Sequence, residues 1–275
     1  SGLKGGHSGG EIHVGLGNAN KLLTRYLYAL EKNLDWCLAE IGGGNLHNAI
    51  PREAHALIGV KPADKAKAEE LLRELDAAVR NELKAVDPKV RLDIEDAAQV
   101  IDCKTKSALV RALYACPHGV LGMSHELENL VETSNNLASI KQRDGVILVE
   151  TSQRSSTTSL RDSASEMVAS VFELAGADVK VTDSYPGWKP NPDSAILKAS
   201  ADAYRKLFGK EAAVKAIHAG LECGLILDVY PDLDMVSFGP TLRDVHSPAE
   251  RIEIKTVDLW WRHLLQVLKE IPAAK

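Results

Sequence analysis

Leu23-Thr-Arg-Tyr-Leu-Tyr-Ala29 and Leu109-Val-Arg-Ala-Leu-Tyr-Ala115 carry the same Leu, Arg, Leu, Tyr and Ala at a constant offset. Each lies in a stretch with helical apolar spacing, residues 18–32 and Lys104–Cys116. The segments after the two helices are also alike. After the first come two strand-like runs, Leu34–Ile41 and Glu53–Val60, around the turn-rich Gly42-Gly-Gly-Asn45. A long amphipathic helix over 63–85 comes next, with Leu71, Leu72, Leu75, Val79 and Leu83 on one side, then a strand at Val90–Ile94. After the second come strands Asn136–Gln142 and Val146–Ser152 joined by Arg143-Asp-Gly145, then a helix Ser159–Leu174 stopped by Gly176, and a strand Asp178–Asp183. With Glu11–Leu16 alternating as an opening strand, the pattern predicts a two-layer α/β domain of tandem β-α-β-β-α-β units.

Three prolines in Tyr185-Pro-Gly-Trp-Lys-Pro-Asn-Pro192 mark a linker, which divides the chain into 1–186 and 187–275. The second part reads as a helix Ser194–Phe208, apolar segments Val214–Ile217 and Gly220–Leu227, a strand Asp234–Phe238 and a final helix Val257–Ile271. Its strands are too few to close a sheet, so it is expected to complete a larger one.

Composition sets the outer limits. The 275 residues carry a net charge of −5 with both signs interspersed and no basic block, which argues against nucleic acid as partner. No apolar run approaches the ~20 residues of a membrane span, and the Gly-rich start is not signal-like. Cys37, Cys103, Cys116 and Cys223 are scattered and read as reduced thiols, so a cytoplasmic protein is expected. Ser1 in place of Met fits either processing before a small residue or a chain cut from something larger.

Several residues are candidates for chemistry. His246 stands in a Gly/Pro-bounded loop, Gly239-Pro-Thr-Leu-Arg-Asp-Val-His-Ser-Pro-Ala-Glu250, suited to metal ligation or proton chemistry. One imidazole, however, falls well short of the three or four ligands a zinc site takes. In Gly5-Gly-His-Ser-Gly-Gly10 the glycines let backbone approach a ligand closely. There His7 is either incidental to a flexible entry or a donor to a developing oxyanion. The same stretch read as Gly6-x-Ser8-x-Gly10 matches the nucleophile elbow of serine hydrolases, though the required strand before and helix after are missing. Asn48, at a loop-to-strand junction, suits a turn. Arg154 has the planar fork for a carboxylate but also reads as an ordinary surface residue. Within Ile217-His-Ala-Gly-Leu-Glu-Cys-Gly224, Glu222 stands out over His218, because a carboxylate in an apolar segment is costly without a cation. The remaining histidines lack ligand-like spacing.

Five segments in order, Ser1–Gly9, Asn48–Pro51, Gln153–Ser156, His218–Glu222 and Gly239–Glu250, resemble the aminoacyl-histidine dipeptidases, the carnosinase-like branch of the two-zinc exopeptidases. The resemblance covers essentially the whole chain. It implies that residues 1–186 are a lid of the doubled, dimerisation-type form and that 187–275 are the C-terminal segment of an α/β catalytic domain. It implies further that His246 is a zinc ligand, that His7 stabilises the tetrahedral oxyanion, and that Asn48, Arg154 and, more weakly, Glu222 contact the substrate. Two divalent ions, a dipeptide substrate of Xaa-His type and a homodimer come with the same likeness. The family's other zinc ligands and its general-base carboxylate belong to an N-terminal half not found in this sequence. The chain alone is therefore expected to be inactive. The alternative class is a non-catalytic lid or dimerisation module.

Overall fold

In the computed structural model, which describes residues 1–96, 106–125, 128–182, 188, 191, 193–215, 222–243, 245 and 250–271, the two matching heptapeptides are helical and touch. They belong to α1 (Ala19–Asn33) and α3 (Lys106–Ala115). Tyr28 and Tyr114, equivalent positions of the repeat, stack with ring centroids 4.2 Å apart and planes 9° from parallel. The helices run antiparallel. Lys21 at the start of α1 donates to the carbonyls of Leu113, Tyr114 and Cys116 at the end of α3. Glu31 near the end of α1 meets Lys106 and Ser107 at the start of α3. Equivalent residues meeting face to face between antiparallel helices is the pattern a pseudo-two-fold axis produces.

The strands obey the same symmetry. Two-residue strands β1 (Gly6–His7) and β3 (Ala49–Ile50) form a small ribbon. The main sheet is built from β2 (Trp36–Gly43), β4 (Ala54–Val60), β5 (Gly119–Met123), β6 (Val131–Arg143) and β7 (Val146–Ser155). Hairpin β2–β4 and hairpin β6–β7 join through their first strands, antiparallel, at Gly43↔Ile140. β7 runs along one edge of β6, so β5 and β2 share the other edge end to end. Asp144 (φ 52°) and Gly145 (φ 77°) supply the two positive φ angles that a tight type I′ hairpin turn demands. Each hairpin leads into a helix, α2 (Lys65–Leu83) or α4 (Thr158–Leu174).

All four helices feed one core. Leu27 and Leu30 of α1, Leu72 and Val79 of α2, Leu113 of α3 and Phe172 of α4 pack with Trp36, Ile41, Leu137 and Ile140 of the sheet. Leu30, Val79, Leu113 and Leu137 are wholly buried, and truncating any of them to Ala is expected to cost ~2–5 kcal/mol. Side chains alternate along a strand, so Ser134, Asn136, Ser152 and Arg154 point to the opposite, helix-free face.

Four expected strands are not formed. Glu11–Leu16 holds a 3-10 turn, Ile12–Val14, which buries only Ile12 and ends at Gly15 in the left-handed region. Val90–Ile94 is extended without a sheet partner; Arg91 exchanges main-chain bonds with Ser1 instead. Residues 178–182 and 234–238 are irregular, and Asp183 lies outside the described residues. In each case a few apolar residues imitate a strand's alternation over a stretch that pairs with no strand.

The chain divides into two compact units, Ser1–Ser155 with Ser159–Asp183, and Ser156–Thr158 with Ser184–Lys275. The second unit contains α5 (Ala195–Phe208), α6 (Glu222–Val229), a two-residue ribbon of β8 (Leu242–Arg243) and β9 (Arg251–Ile252), and α7 (Ile254–Glu270). Here α5 packs on α7 around His263, whose Nε2 lies 2.8 Å from the Ser200 carbonyl, with Tyr204 and Phe238 against the ring.

Candidate active site

The helix-free face of β6 is covered by the β1–β3 ribbon, and this contact places the candidate residues. Gly44, directly after β2 on the way to β3, takes a φ of 72°, and a Cβ there would fall 2.0 Å from the Ala138 carbonyl oxygen. Only glycine lets the segment that leads from β2 to β3 lie so close against β6.

Within the ribbon, His7 is held by its own loop. Its N–H donates to Glu11 Oε2 at 2.8 Å, and the Glu11 N–H returns a bond to the His7 carbonyl at 2.9 Å. The amides of Gly9 and Gly10 donate to His7 Nδ1 at 3.1 and 3.0 Å. A nitrogen that accepts two N–H bonds carries no proton, so the neutral ring carries its proton on Nε2. His7 is thereby set up as a donor through Nε2.

Ser8 is the hub. Only 1% exposed, it donates its N–H to the Asn48 carbonyl at 2.9 Å and accepts from Arg154 Nε on Oγ at 3.4 Å. Residues 146 positions apart thus share one side chain. The serine-elbow expectation fails on this geometry. Ser8 is buried, it leads into a turn and a short 3-10 segment rather than a helix, and its hydroxyl faces a guanidinium rather than a basic imidazole.

Arg154 is half-buried, and burial alone holds its guanidinium below the ordinary arginine range. Among the described residues no carboxylate pairs with it. A buried cation without a counter-ion is costly, and an incoming carboxylate removes that cost. Asn48 is half-buried in the turn that enters β3. The structure therefore brings together His7, Asn48 and Arg154. Glu222 belongs to the other unit, exposed in the first turn of α6. A carboxylate there is favoured by the helix dipole, so the burial penalty that singled it out does not arise. His246 and His218 lie outside the described residues.

Three participants were not expected from sequence: Ser8 as a link, Glu11 as a brace, and Asn136. The Asn136 Nδ2 donates to the carbonyls of His47 (3.2 Å) and Ala49 (2.8 Å), on either side of Asn48. Its one sequence signal is a polar run, Thr133-Ser-Asn-Asn136, inside a buried strand. Beneath it lies His118, whose Nδ1 accepts from the Leu137 N–H at 3.4 Å and lies 3.3 Å from Asn18 Nδ2. Burial, reinforced by the charge of Lys21, pushes its imidazole down to about 4.

Among the described residues no group of three or more His, Cys, Asp or Glu side chains is able to hold a metal ion. The described residues do not fit the zinc centre implied by the resemblance, and His246, the expected ligand, lies outside them.

Residues 1–87 match the peptidase dimerisation domain of the M20 type. The chain is 42% identical, over 99% of its length, to the cytosol non-specific dipeptidase of Escherichia coli K12, and spans 57% of that protein. It superimposes over its whole length on the aminoacylhistidine dipeptidase of Vibrio alginolyticus with a TM-score of 0.83 and 41% identity, again covering 57% of that chain. This chain thus spans a little over half the length of these relatives.

Proposed function

We propose that this chain, 42% identical to a cytosol non-specific dipeptidase and matching the M20-type peptidase dimerisation domain over residues 1–87, supplies the lid and the C-terminal catalytic segment of an enzyme that hydrolyses Xaa-His dipeptides. Residues 1–186 act as the lid and 187–275 as part of the catalytic domain. The observation that carries the reading is Arg154, a half-buried guanidinium with no carboxylate partner among the described residues, tied through Ser8 to the loop that bears Asn48. Such a group is a receptor for the free C-terminal carboxylate of a dipeptide. Asn48 contacts the substrate beside it, and His7, protonated on Nε2, donates to the oxyanion as the carbonyl carbon becomes tetrahedral. Glu222 is kept as a weaker substrate contact.

The zinc pair requires ligands beyond the described residues, with His246 as this chain's contribution. The chain's own part is to bind, orient and stabilise. On that account the 275 residues alone bind zinc weakly and show no peptidase activity. The whole protein is cytoplasmic and dimeric, and has no nucleic-acid or membrane partner. The dimer assignment rests on the dimerisation domain and on the outer edges of β4 and β7. Among the described residues no helix is long and apolar enough to cross a membrane.

Substituting Arg154→Ala in the whole protein is expected to raise KM for carnosine about 10- to 100-fold, the size of a lost charge-assisted contact. KM for the corresponding dipeptide amide should scarcely move. Arg154→Lys should not restore the planar two-point contact. Equal effects on carboxylate and amide substrates would remove Arg154 from carboxylate recognition.

A further inference from the structure

We propose that Asn136 is a positioning residue that sets Asn48 and, through Ser8, Arg154 in the substrate-binding geometry. The inference rests on the reading that Asn48 and Arg154 hold the substrate. β3 is only two residues long and pairs on one edge with β1. On its other side a full strand would satisfy the carbonyls of residues 47 and 49; the Asn136 carboxamide does so instead, at 3.2 and 2.8 Å. The carbonyl between them, that of Asn48, is bound by the Ser8 amide. The tripeptide is thus pinned on both sides, with Asn48 at its centre. Asn136 is itself held. It is 1% exposed, and its Oδ1 accepts from Asn18 Nδ2 at 3.4 Å. Asn18 in turn caps α1, its Oδ1 accepting the Lys21 N–H at 3.1 Å. The substrate loop is therefore referenced to a firmly packed helix of the domain, and the chain of bonds continues from Asn48 through Ser8 to Arg154.

A merely structural asparagine would affect stability and leave substrate affinity alone. Asn135 provides that comparison: it is equally buried but lies on the helix side of the sheet, donating to the Pro117 carbonyl and accepting from Gln153. In the whole protein, Asn136→Ala is expected to raise KM for a free-carboxylate dipeptide about tenfold, the order of one well-placed hydrogen bond lost. Asn135→Ala is expected to lower Tm with KM unchanged. Asn136→Asp keeps the shape but removes both donors, so it should reproduce the KM effect should the alanine variant fold poorly. In the 275-residue chain, amide exchange at Ser8 should accelerate in both Asn136 variants and not in the Asn135 variant. Asn48→Ala and Arg154→Ala serve as references. If they raise KM while both Asn136 variants leave it unchanged, the positioning role is overturned. If the references leave KM unchanged, the underlying substrate-binding reading fails instead.

Discussion

At the scale of single residues, His7 shows how a loop selects a chemical role. A solvent-exposed imidazole samples both tautomers, but here the Gly9 and Gly10 amides occupy Nδ1 and leave the proton on Nε2. A donor fixed before substrate arrives needs no reorganisation as charge develops. Replacing His7 with Ala should lower kcat of the whole protein by roughly 10²–10³ with little change in KM, as for other oxyanion donors; an unchanged kcat would exclude the role. His118 acts on stability instead. Its folded value of about 4 lies below the ordinary 6.5. Unfolded chains therefore bind a proton first as pH falls. The contribution is present above pH 6.5 and is lost progressively between 6.5 and 4, up to ~3 kcal/mol. Urea unfolding at pH 7 and pH 4.5 should show a smaller acid loss for His118→Gln than for the unsubstituted chain. Residue type alone left His7, Asn48 and Arg154 ambiguous, and only the resemblance of the ordered segments implied roles for them. The residues that join them, Ser8 and Asn136, were illegible because their bonds cross long separations: 146 positions for Arg154 to Ser8 and 87 for Asn136 to Ala49.

At the scale of elements, the repeat was the most legible part of the chain, and its physical content is the contact between its copies. Tyr28 stacks on Tyr114, and the Lys21 ammonium closes the C-terminal end of α3 by donating to three carbonyls. Burial lowers the Lys21 pKa while those carbonyls favour its charged form. Lys21→Met retains the apolar stem and removes the ammonium. It should cost ~2 kcal/mol by urea unfolding, a typical value for a charged hydrogen-bond group. Helices and hairpins with several periods of apolar spacing appear within a few residues of their expected limits. Short pieces do not. β1 and β3 contain two residues each and carry no periodicity, and β5, Gly119-Val-Leu-Gly-Met123, has glycines where a strand pattern needs side chains. Glu11–Leu16 misleads for the opposite reason: Ile12, Val14 and Leu16 alternate, yet of the three only Ile12 is fully buried. These short pieces form through tertiary contact, β3 and β5 against β6 and β1 against β3, which no local pattern records.

At the scale of the whole molecule, the two units differ in how well they bury their apolar surface. The first gathers four helices over one sheet around a continuous core. The second exposes Ile254 (80%), Val229 (67%), Leu268 (60%) and Trp261 (51%) on α6 and α7. Extensive apolar surface of that kind ordinarily marks an interface. This chain spans 57% of each relative, and on the proposed reading the occupant is the remainder of the catalytic domain. Stability follows burial, so residues 184–275 should open more readily than the first unit when the 275-residue chain is studied by itself. Limited proteolysis should cut first within 184–275 and leave a resistant fragment close to residues 1–183. In the whole protein the same sites should become protected as the apolar faces of α6 and α7 are covered. Cleavage that begins in α1–α4, or a second unit equally labile in both settings, would show that those faces are not an internal interface of the catalytic domain.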